Sequence, residues 1–277
     1  MPDIRLIATD VDGTILPRNG QISEATRRAA RRCRAAGIPF VIASGRWIGA
    51  LEDVVRDAAT EGEPLILAKG GAVAAPDGTL LREWTMPDAD VRKVLDILRR
   101  HNVMINSYVR GGVYRLNTAA LGEEAALLRG YTGDGDYRLI SDDEAAFEAE
   151  ATHGVYKLEA ITTDREIIAR LRAELAEQTD AVVTGAFWRN TEIQSPGMGK
   201  GTALRWLAES LGIPTERCMA FGDNTNDLDM LRAVGWPVAM ANGADEAKAC
   251  ARLVAPPDCE DGVARTIFQY VFGEEAP

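Results

Sequence analysis

Two short acidic clusters, far apart in the sequence, contain residues that could hold a metal ion and carry out nucleophilic chemistry. The first, Asp10–Thr14 (DVDGT), directly follows the apolar run Ile4–Thr9. At the end of a strand, Asp10 and Asp12 can converge, one as a nucleophile and the other as a proton carrier. Gly13 lets the chain turn away without a steric cost. The alternative interpretation is a solvated acidic turn.

The second cluster, Gly222–Asp227 (GDNTND), follows another short apolar run, Cys218–Phe221. In open α/β sheets, ligands bind outside the carboxyl ends of the strands. Mg²⁺ is typically bound there by one or two carboxylates together with a substrate phosphate. An EF-hand is excluded, because the sixth position counted from Asp223 is Leu228 instead of glycine. A plain acidic loop is the alternative.

Two further groups suit a phosphate. Ser44–Arg46 lies between a predicted strand and a predicted helix, where a hydroxyl and backbone N–H groups can bind an anion. Lys200 stands between Gly199 and Gly201 at another predicted helix start. A simple helix cap and a surface lysine are the alternatives. A P-loop is excluded, because Gln194 stands where its first glycine is required.

Taken in chain order, Asp10–Thr14, Ser44–Arg46, Gly199–Gly201 and Gly222–Asp227 together resemble the haloacid dehalogenase-like phosphatase superfamily. The large insert between Ser44–Arg46 and Gly199–Gly201 resembles the cap of its Cof-type branch. The closing segments Val238–Gly243 and Glu260–Ala264 are similar to that branch as well. The resemblance covers essentially the whole chain.

This resemblance implies a Mg²⁺-dependent phosphatase that works through an aspartyl-phosphate. The implied catalytic residues are Asp10 as nucleophile, Asp12 as general acid and base, and Lys200. The implied phosphate- and substrate-binding residues are Gly13, Ser44, Gly45, Arg46, Lys200 and Asn226. The implied metal ligands are Asp10, the backbone carbonyl of Asp12, Asp223 and Asp227, the last directly or in support.

Two positions depart from the family pattern. Lys69 precedes Gly70 where the family commonly has asparagine, and Asn224 stands where glycine is common. Neither departure removes an implied catalytic group. Lys69 could alter the substrate preference.

The helices and strands that must position these residues are predicted to form an α/β fold. Apolar runs alternate with amphipathic helices, which indicates βαβ units and a parallel sheet. Ser23 is a predicted helix N-cap, and Gly37 follows that helix as a C-terminal glycine. We expect a Rossmann-like parallel-sheet core formed by residues 1–86 and 191–277, split by an inserted α+β cap domain of residues 87–190.

The insert is expected to select the substrate. Its predicted helices cover Asp90–His101, about Ala119–Arg129 and Asp164 to about Gln178. Candidate substrate-contacting residues are Tyr108, Arg110, Arg115, Asn117, Lys157, Trp188 and Arg189. Most aromatic and basic side chains of such a domain are core or surface residues, which is the alternative for each of them.

Composition narrows the choice of partners. The 277 residues carry a formal net charge of −11, which argues against a nucleic-acid binder. No stretch approaches the ~20 apolar residues of a membrane helix. The 4 cysteines include no C-x-x-C pair and are expected to be reduced thiols of a cytoplasmic protein. We expect a monomer or homodimer acting on a small phosphorylated metabolite, a sugar phosphate or a phosphorylated cofactor.

Two other functions remain open from the sequence. A sugar phosphomutase would use the same aspartyl-phosphate but return the phosphoryl group to a hydroxyl of the sugar. A receiver-like signalling module would be phosphorylated on an aspartate without cleaving a substrate.

Overall fold

The computed structural model describes residues 2–17, 20–117, 137–140, 143–185 and 188–275. The chain divides into two compact units. The first comprises Met1–Gly45, Leu51–Arg82 and Gly199–Pro277, and the second comprises Arg46–Ala50 and Glu83–Met198.

The first unit contains a mostly parallel sheet. Its strands are β1 (Leu6–Thr9), β2 (Phe40–Ala43), β3 (Leu65–Leu67), β4 (Ala72–Ala74), β5 (Leu80–Glu83), β12 (Cys218–Gly222), β13 (Trp236–Met240) and β14 (Leu253–Ala255). They lie in the order β14-β13-β12-β1-β2-β3-β4-β5. The central strands β1, β2 and β12 are buried along their whole length. Burial on both faces explains why these strands are continuous apolar runs instead of alternating ones.

Parallel pairing extends from β14 to β3, and β4 turns back antiparallel to β3. A turn at Asp77 connects β4 to β5, and the Ala75 N–H donates to the Thr79 carbonyl at 2.8 Å. The α/β core predicted from the sequence is confirmed.

The helices of both units, numbered along the chain, are α1 (Glu24–Ala35), α2 (Glu52–Ala58), α3 (Asp88–Arg100), α4 (Glu144–Ala151), α5 (Arg165–Gln178), α6 (Lys200–Ser210), α7 (Leu228–Arg232), α8 (Asp245–Cys250) and α9 (Gly262–Ile267). The start of α1 is as predicted, because the Ser23 Oγ accepts the Thr26 N–H at 3.1 Å. Gly37 follows α1 with a φ of 70°.

The helix predicted to follow Ser44–Arg46 begins later than expected. A 3₁₀ turn spans Ile48–Leu51, and α2 starts only at Glu52. Gly49 is a poor helix former, and 3₁₀ turns are frequent at helix N-termini, so the first turn is tighter than an α-helix.

The second unit contains a separate, mainly antiparallel sheet. Its strands are β6 (Met104–Val109), β7 (Gly112–Leu116), β8 (Tyr137–Ile140), β9 (Lys157–Ile161), β10 (Val182–Thr184) and β11 (Asn190–Gln194), in the order β10-β11-β9-β6-β7-β8. One face packs against α3, α4 and α5 through an apolar core that includes Leu98, Phe147, Leu158 and Leu171. The predicted helix Ala119–Arg129 lies outside the described residues.

Two properties of the chain bear on the composition-based expectations. Within the described residues, no helix combines the length and apolar character needed to cross a membrane. All the cysteines are free, and Cys33 and Cys218 are buried whereas Cys259 is exposed.

Candidate active site

The two acidic clusters meet because their strands are neighbours. β1 pairs in parallel with β12, with Thr9 opposite Phe221. The next residue, Asp10, donates its N–H to the Phe221 carbonyl at 3.0 Å. Asp223 directly follows the end of β12. The sheet register therefore brings both clusters to the carboxyl edge of adjacent strands, where α/β proteins bind their ligands.

Lys200 is fully buried between two of the acidic side chains. Its Nζ lies 2.5 Å from the Asp10 Oδ1 and 2.6 Å from the Asp227 Oδ1. Burial lowers the pKa of Lys200, but the charges of Asp10 and Asp227 outweigh it and leave that pKa above the ordinary value. The lysine is therefore a permanent cation within the acidic cluster.

Asp10 has a strongly perturbed carboxyl group. Burial and the negative charge of Asp227 raise its pKa well above the ordinary value, and Lys200 only partly opposes them. The ionised form of Asp10 is therefore unfavourable unless further positive charge lies next to it.

The cluster has the composition of a site for a hard divalent cation. Asp10, Asp223 and Asp227 each offer one carboxylate oxygen, and these oxygens lie within 4.8 Å of one another. Oxygen donors of this kind suit Mg²⁺. Asp227 is held rigidly, since its Oδ2 accepts the N–H groups of Asp223 at 3.1 Å and Asn224 at 3.2 Å. The donor set therefore fits the predicted magnesium ion.

Asp12 differs from Asp10 in its surroundings. Its side chain is exposed, and the cation cluster found among the described residues does not include its carboxylate. Its exposure places this side chain in contact with solvent. The family resemblance implies that the backbone carbonyl of Asp12, and not its side chain, binds the metal.

Gly13 is required by a close approach between the two acidic loops. Its φ is +82°, and a Cβ at this position would lie 2.5 Å from the Asp223 Oδ2. The Gly13 carbonyl accepts a hydrogen bond from the Asn242 Nδ2 at 2.8 Å. Asn242 was not predicted as a site residue, although the family-like closing segment Val238–Gly243 contains it.

Ser44 follows β2 at the same edge of the sheet, and its backbone is fixed on both sides. Its N–H donates to the Ile66 carbonyl at 2.9 Å, and its carbonyl accepts the Lys69 N–H at 2.8 Å. Ser44 and Gly45 precede the 3₁₀ turn at Ile48 instead of an α-helix, so no helix dipole begins at these two residues.

Arg46 belongs to the second unit. There its Nη1 donates to the Ala50 carbonyl at 3.3 Å.

Two buried polar atoms in the acidic loops find no hydrogen-bond partner among the described residues. They are the Oγ1 of Thr14 and the Oδ1 of Asn226. Buried polar atoms of this kind are costly unless a ligand or water satisfies them. Asn226 was predicted to bind phosphate, whereas Thr14 entered the sequence analysis only as part of its motif.

The turn after β3 contains the departure at Lys69. Ala68, Lys69 and Gly70 all have a positive φ, of 47°, 58° and 85°. The Lys69 side chain is buried, at 4% exposure. Left-handed conformations are unfavourable for residues with a Cβ, so this turn must be stabilised by its surroundings.

Three predicted cap residues share one face of the second sheet, opposite its apolar core. The Tyr108 OH donates to Glu159 at 3.2 Å, and the Arg115 Nε donates to the Asn106 Oδ1 at 3.0 Å. The Lys157 Nζ lies 2.6 Å from the Glu192 Oε1. These side chains are buried and form a polar network within the second unit.

The other predicted cap residues are arranged differently. Arg110 pairs with Glu83, and the Asn117 Nδ2 donates to the Val103 carbonyl at 2.9 Å. Two guanidinium groups lie over the Trp188 ring, that of Arg165 at 4.4 Å and that of Arg189 at 4.8 Å from the ring centre. Each of these residues has a structural partner in its own unit.

A parallel α/β sheet whose strand ends carry two acidic clusters around a buried lysine is an arrangement that comparison with known proteins assigns to a class of hydrolases. The haloacid dehalogenase-like hydrolases match residues 7–267, and the chain belongs to this family. The predicted hydrolase class is thereby confirmed.

Individual relatives match over nearly the whole chain. The 5-amino-6-(5-phospho-D-ribitylamino)uracil phosphatase YcsE of Bacillus subtilis is 27% identical over 97% of this chain and 96% of its own. The HMP-PP phosphatase of Cronobacter sakazakii is 29% identical over 86% of this chain and 84% of its own. A solved haloacid dehalogenase-like hydrolase from Bacillus subtilis superposes with a TM-score of 0.83 at 25% identity, covering 96% of this chain and 100% of that one.

Proposed function

We propose that this protein is a Mg²⁺-dependent phosphatase that transfers the phosphoryl group of a small phosphorylated metabolite to Asp10 and then to water. The observation that carries the proposal is the convergence of Lys200, Asp223 and Asp227 on the buried Asp10 carboxylate. The names of the relatives supply the substrate class, since they are phosphatases of a phosphorylated ribitylaminouracil and of HMP-PP.

In the first half-reaction, an oxygen of Asp10 attacks the phosphorus atom and forms the aspartyl-phosphate. The bond from phosphorus to the substrate oxygen breaks, and that oxygen takes the proton held by Asp12. The Lys200 ammonium, already 2.5 Å from Asp10, offsets the negative charge that would otherwise repel the phosphoryl group.

In the second half-reaction, Asp12 now acts as a base. It takes a proton from water, the water oxygen attacks phosphorus, and the bond to Asp10 breaks. Inorganic phosphate leaves, Asp10 is again a carboxylate, and Asp12 is again protonated. The exposure of Asp12 gives this side chain access to the water it must activate.

The metal would be held by Asp10, the backbone carbonyl of Asp12, Asp223 and Asp227. When bound, Mg²⁺ supplies positive charge to the phosphoryl oxygens and to the nucleophile. The phosphoryl group itself would be bound by Gly13, Ser44, Gly45, Lys200 and Asn226, with Arg46 bordering it. The buried, unpartnered Oδ1 of Asn226 supports a polar ligand at this loop.

We further propose that residues 1–86 and 191–277 form the catalytic core and that residues 87–190 form the cap that selects the substrate. The buried polar face of the second sheet supports selection by hydrogen bonding, since it carries Asn106, Arg115, Lys157, Glu159 and Glu192. We expect a cytoplasmic monomer or homodimer.

The test is a phosphate-release assay with sugar phosphates, nucleotides, pyridoxal phosphate and other phosphorylated cofactors. Each is incubated with Mg²⁺ or with a chelator, and phosphate release is compared with substrate loss. Equal amounts that depend on Mg²⁺ support the phosphatase. Substrate loss without phosphate release would indicate a mutase, and turnover in the chelator would overturn the metal-dependent mechanism.

A further inference from the structure

Helix α6 begins at Lys200, directly after a residue that cannot cap it. The N-cap position is Gly199, which has no side chain to accept the free N–H groups of the first turn. The Gly201 N–H is nevertheless satisfied, because it donates to the Oδ2 of Asp229 at 2.8 Å. Asp229 lies in α7, so the capping carboxylate of α6 comes from a neighbouring helix.

The contact between α7 and the start of α6 leaves no room for side chains. A Cβ at Gly199 would lie 2.0 Å from the Asp229 Oδ2, and one at Gly201 would lie 2.2 Å from the Asp229 backbone carbonyl oxygen. The two glycines on either side of Lys200 therefore allow Asp229 to approach the helix start.

The turn at Gly70 also approaches the start of α6 closely. A Cβ at Gly70 would lie 2.0 Å from the Gly199 carbonyl oxygen and 2.6 Å from the Lys200 nitrogen. Both the turn at Gly70 and the carboxylate of Asp229 therefore lie close to Gly199, directly before Lys200.

Asp227 and Asp229 both accept hydrogen bonds from the start of α6, but from different groups. Asp227 accepts from the Lys200 side chain at 2.6 Å, whereas Asp229 accepts from the backbone N–H of the next residue.

We propose that Asp229 is a positioning residue for the reaction: by capping α6 from α7, it fixes the backbone from which Lys200 reaches Asp10. The inference rests on the proposed function, because it needs Lys200 to serve phosphoryl transfer. A small displacement of a catalytic group can lower a rate by about 100-fold, so the position of this helix start matters for turnover.

The experiment compares Asp229→Ala and Asp229→Asn with the parent. Asparagine keeps a side-chain oxygen that can accept the Gly201 N–H, whereas alanine does not. Asp164→Ala is the matched control, since Asp164 caps α5 through the N–H groups of Glu166 at 2.8 Å and Ile167 at 3.2 Å. The readouts are kcat, KM and hydrogen exchange of the Gly201 amide.

We expect Asp229→Ala to lower kcat by about 10- to 100-fold with little change in KM, and to speed exchange at Gly201. Asp229→Asn should keep kcat within about threefold of the parent. Asp164→Ala should lower the melting temperature without lowering kcat.

Three results would overturn the inference. The first is a parental kcat in Asp229→Ala. The second is an equal loss of kcat in Asp229→Asn and Asp229→Ala. The third is rapid hydrogen exchange of the Gly201 amide in the parent. If Asp229→Ala does not fold, Asp229→Asn must still retain both kcat and slow exchange. A parent without metal-dependent phosphate release would defeat the proposed function and the positioning role together, whereas exchange at Gly201 would still decide whether Asp229 caps α6.

Discussion

The Nζ of Lys200 lies 2.5 Å from the Oδ1 of Asp10, although 190 positions separate the two residues. The contact joins the end of the first strand to the start of α6, in the last third of the sequence. The Lys200 charge also partly offsets the repulsion between Asp10 and Asp227, because Asp10 is buried beside the like charge of Asp227. The same arrangement that makes Asp10 costly to ionise supplies the cation that a phosphoryl group needs.

The variant Asp10→Asn should lose phosphate release while keeping its folded stability. Asp10→Asn keeps the shape of the side chain but removes the nucleophile, so phosphate release should fall by about 10³-fold or more. The melting temperature of the metal-free variant should match or exceed that of the parent, because burial and Asp227 oppose the Asp10 charge. Phosphate release and thermal unfolding check both parts, and a variant with parental activity would refute the assignment of the nucleophile.

Divalent metal should stabilise the folded protein. Metal that binds only the native state raises stability by about 2.7 kcal/mol at 100 times its dissociation constant, so Mg²⁺ should raise the melting temperature of the parent. Asp223→Asn should reduce that rise because it weakens one of the three clustered oxygens. The control is Asp245→Asn, at a fully exposed position on α8. Equal Mg²⁺-induced shifts in all three proteins would contradict the proposed metal site.

Gly70 should tolerate no side chain, because its Cα faces the backbone of Gly199. Gly70→Ala should destabilise the protein by about 1–3 kcal/mol more than Gly212→Ala. Gly212 is the matched control: its φ is +67°, close to the +85° of Gly70, but a Cβ there would meet nothing within 4 Å. Chemical denaturation measures both, and equal losses would show that only the backbone conformation matters.

The second unit should contribute acid-sensitive stability through Glu83. A hydrogen bond from Arg110, aided by one from Tyr156, lowers the pKa of Glu83 below its ordinary value of 4.5 although partial burial opposes this. A lowered pKa in the folded state gives stability that is present above pH 4.5 and is lost as the pH falls through the folded value. Arg110 is largely exposed, so added salt should weaken the effect.

Glu83→Gln tests this linkage. The parent should be more stable than the variant at neutral pH, and the difference should shrink between about pH 5 and pH 3. Glu150→Gln, at an exposed position on α4, controls for the change in net charge. Melting curves over this range check the prediction, and a constant difference between parent and Glu83→Gln would contradict it.

Much of the core fold and of the acidic site follows from local sequence. Apolar runs that end in Asp10 and Asp223 predict strand ends, and parallel strands place their carboxyl ends at one edge. The lysine between Gly199 and Gly201 is likewise visible as a motif. These features depend on residues next to one another, so their pattern can be interpreted without the structure.

Other features depend on contacts between distant segments and leave no local signal. The hydrogen bond by which Asp229 caps the N-terminus of α6 is one example, because nothing near Gly199 in the sequence indicates a partner on another helix. The hydrogen bond from Asn242 to the Gly13 carbonyl is another. The delayed start of α2 shows a third limit, since a 3₁₀ turn and an α-helix have similar sequence patterns at their first residues.

The most direct measurement of the central claim is acid-quenched peptide mapping during turnover with Mg²⁺ and a cleaved substrate. The proposed mechanism predicts a phosphoryl group on the peptide containing Asp10, located by fragmentation on Asp10 and absent from Asp10→Asn. Slowing the second half-reaction with Asp12→Asn should increase its amount if a good leaving group is used. Phosphate release without any phosphorylated peptide, or with the phosphoryl group on another residue, would contradict the account.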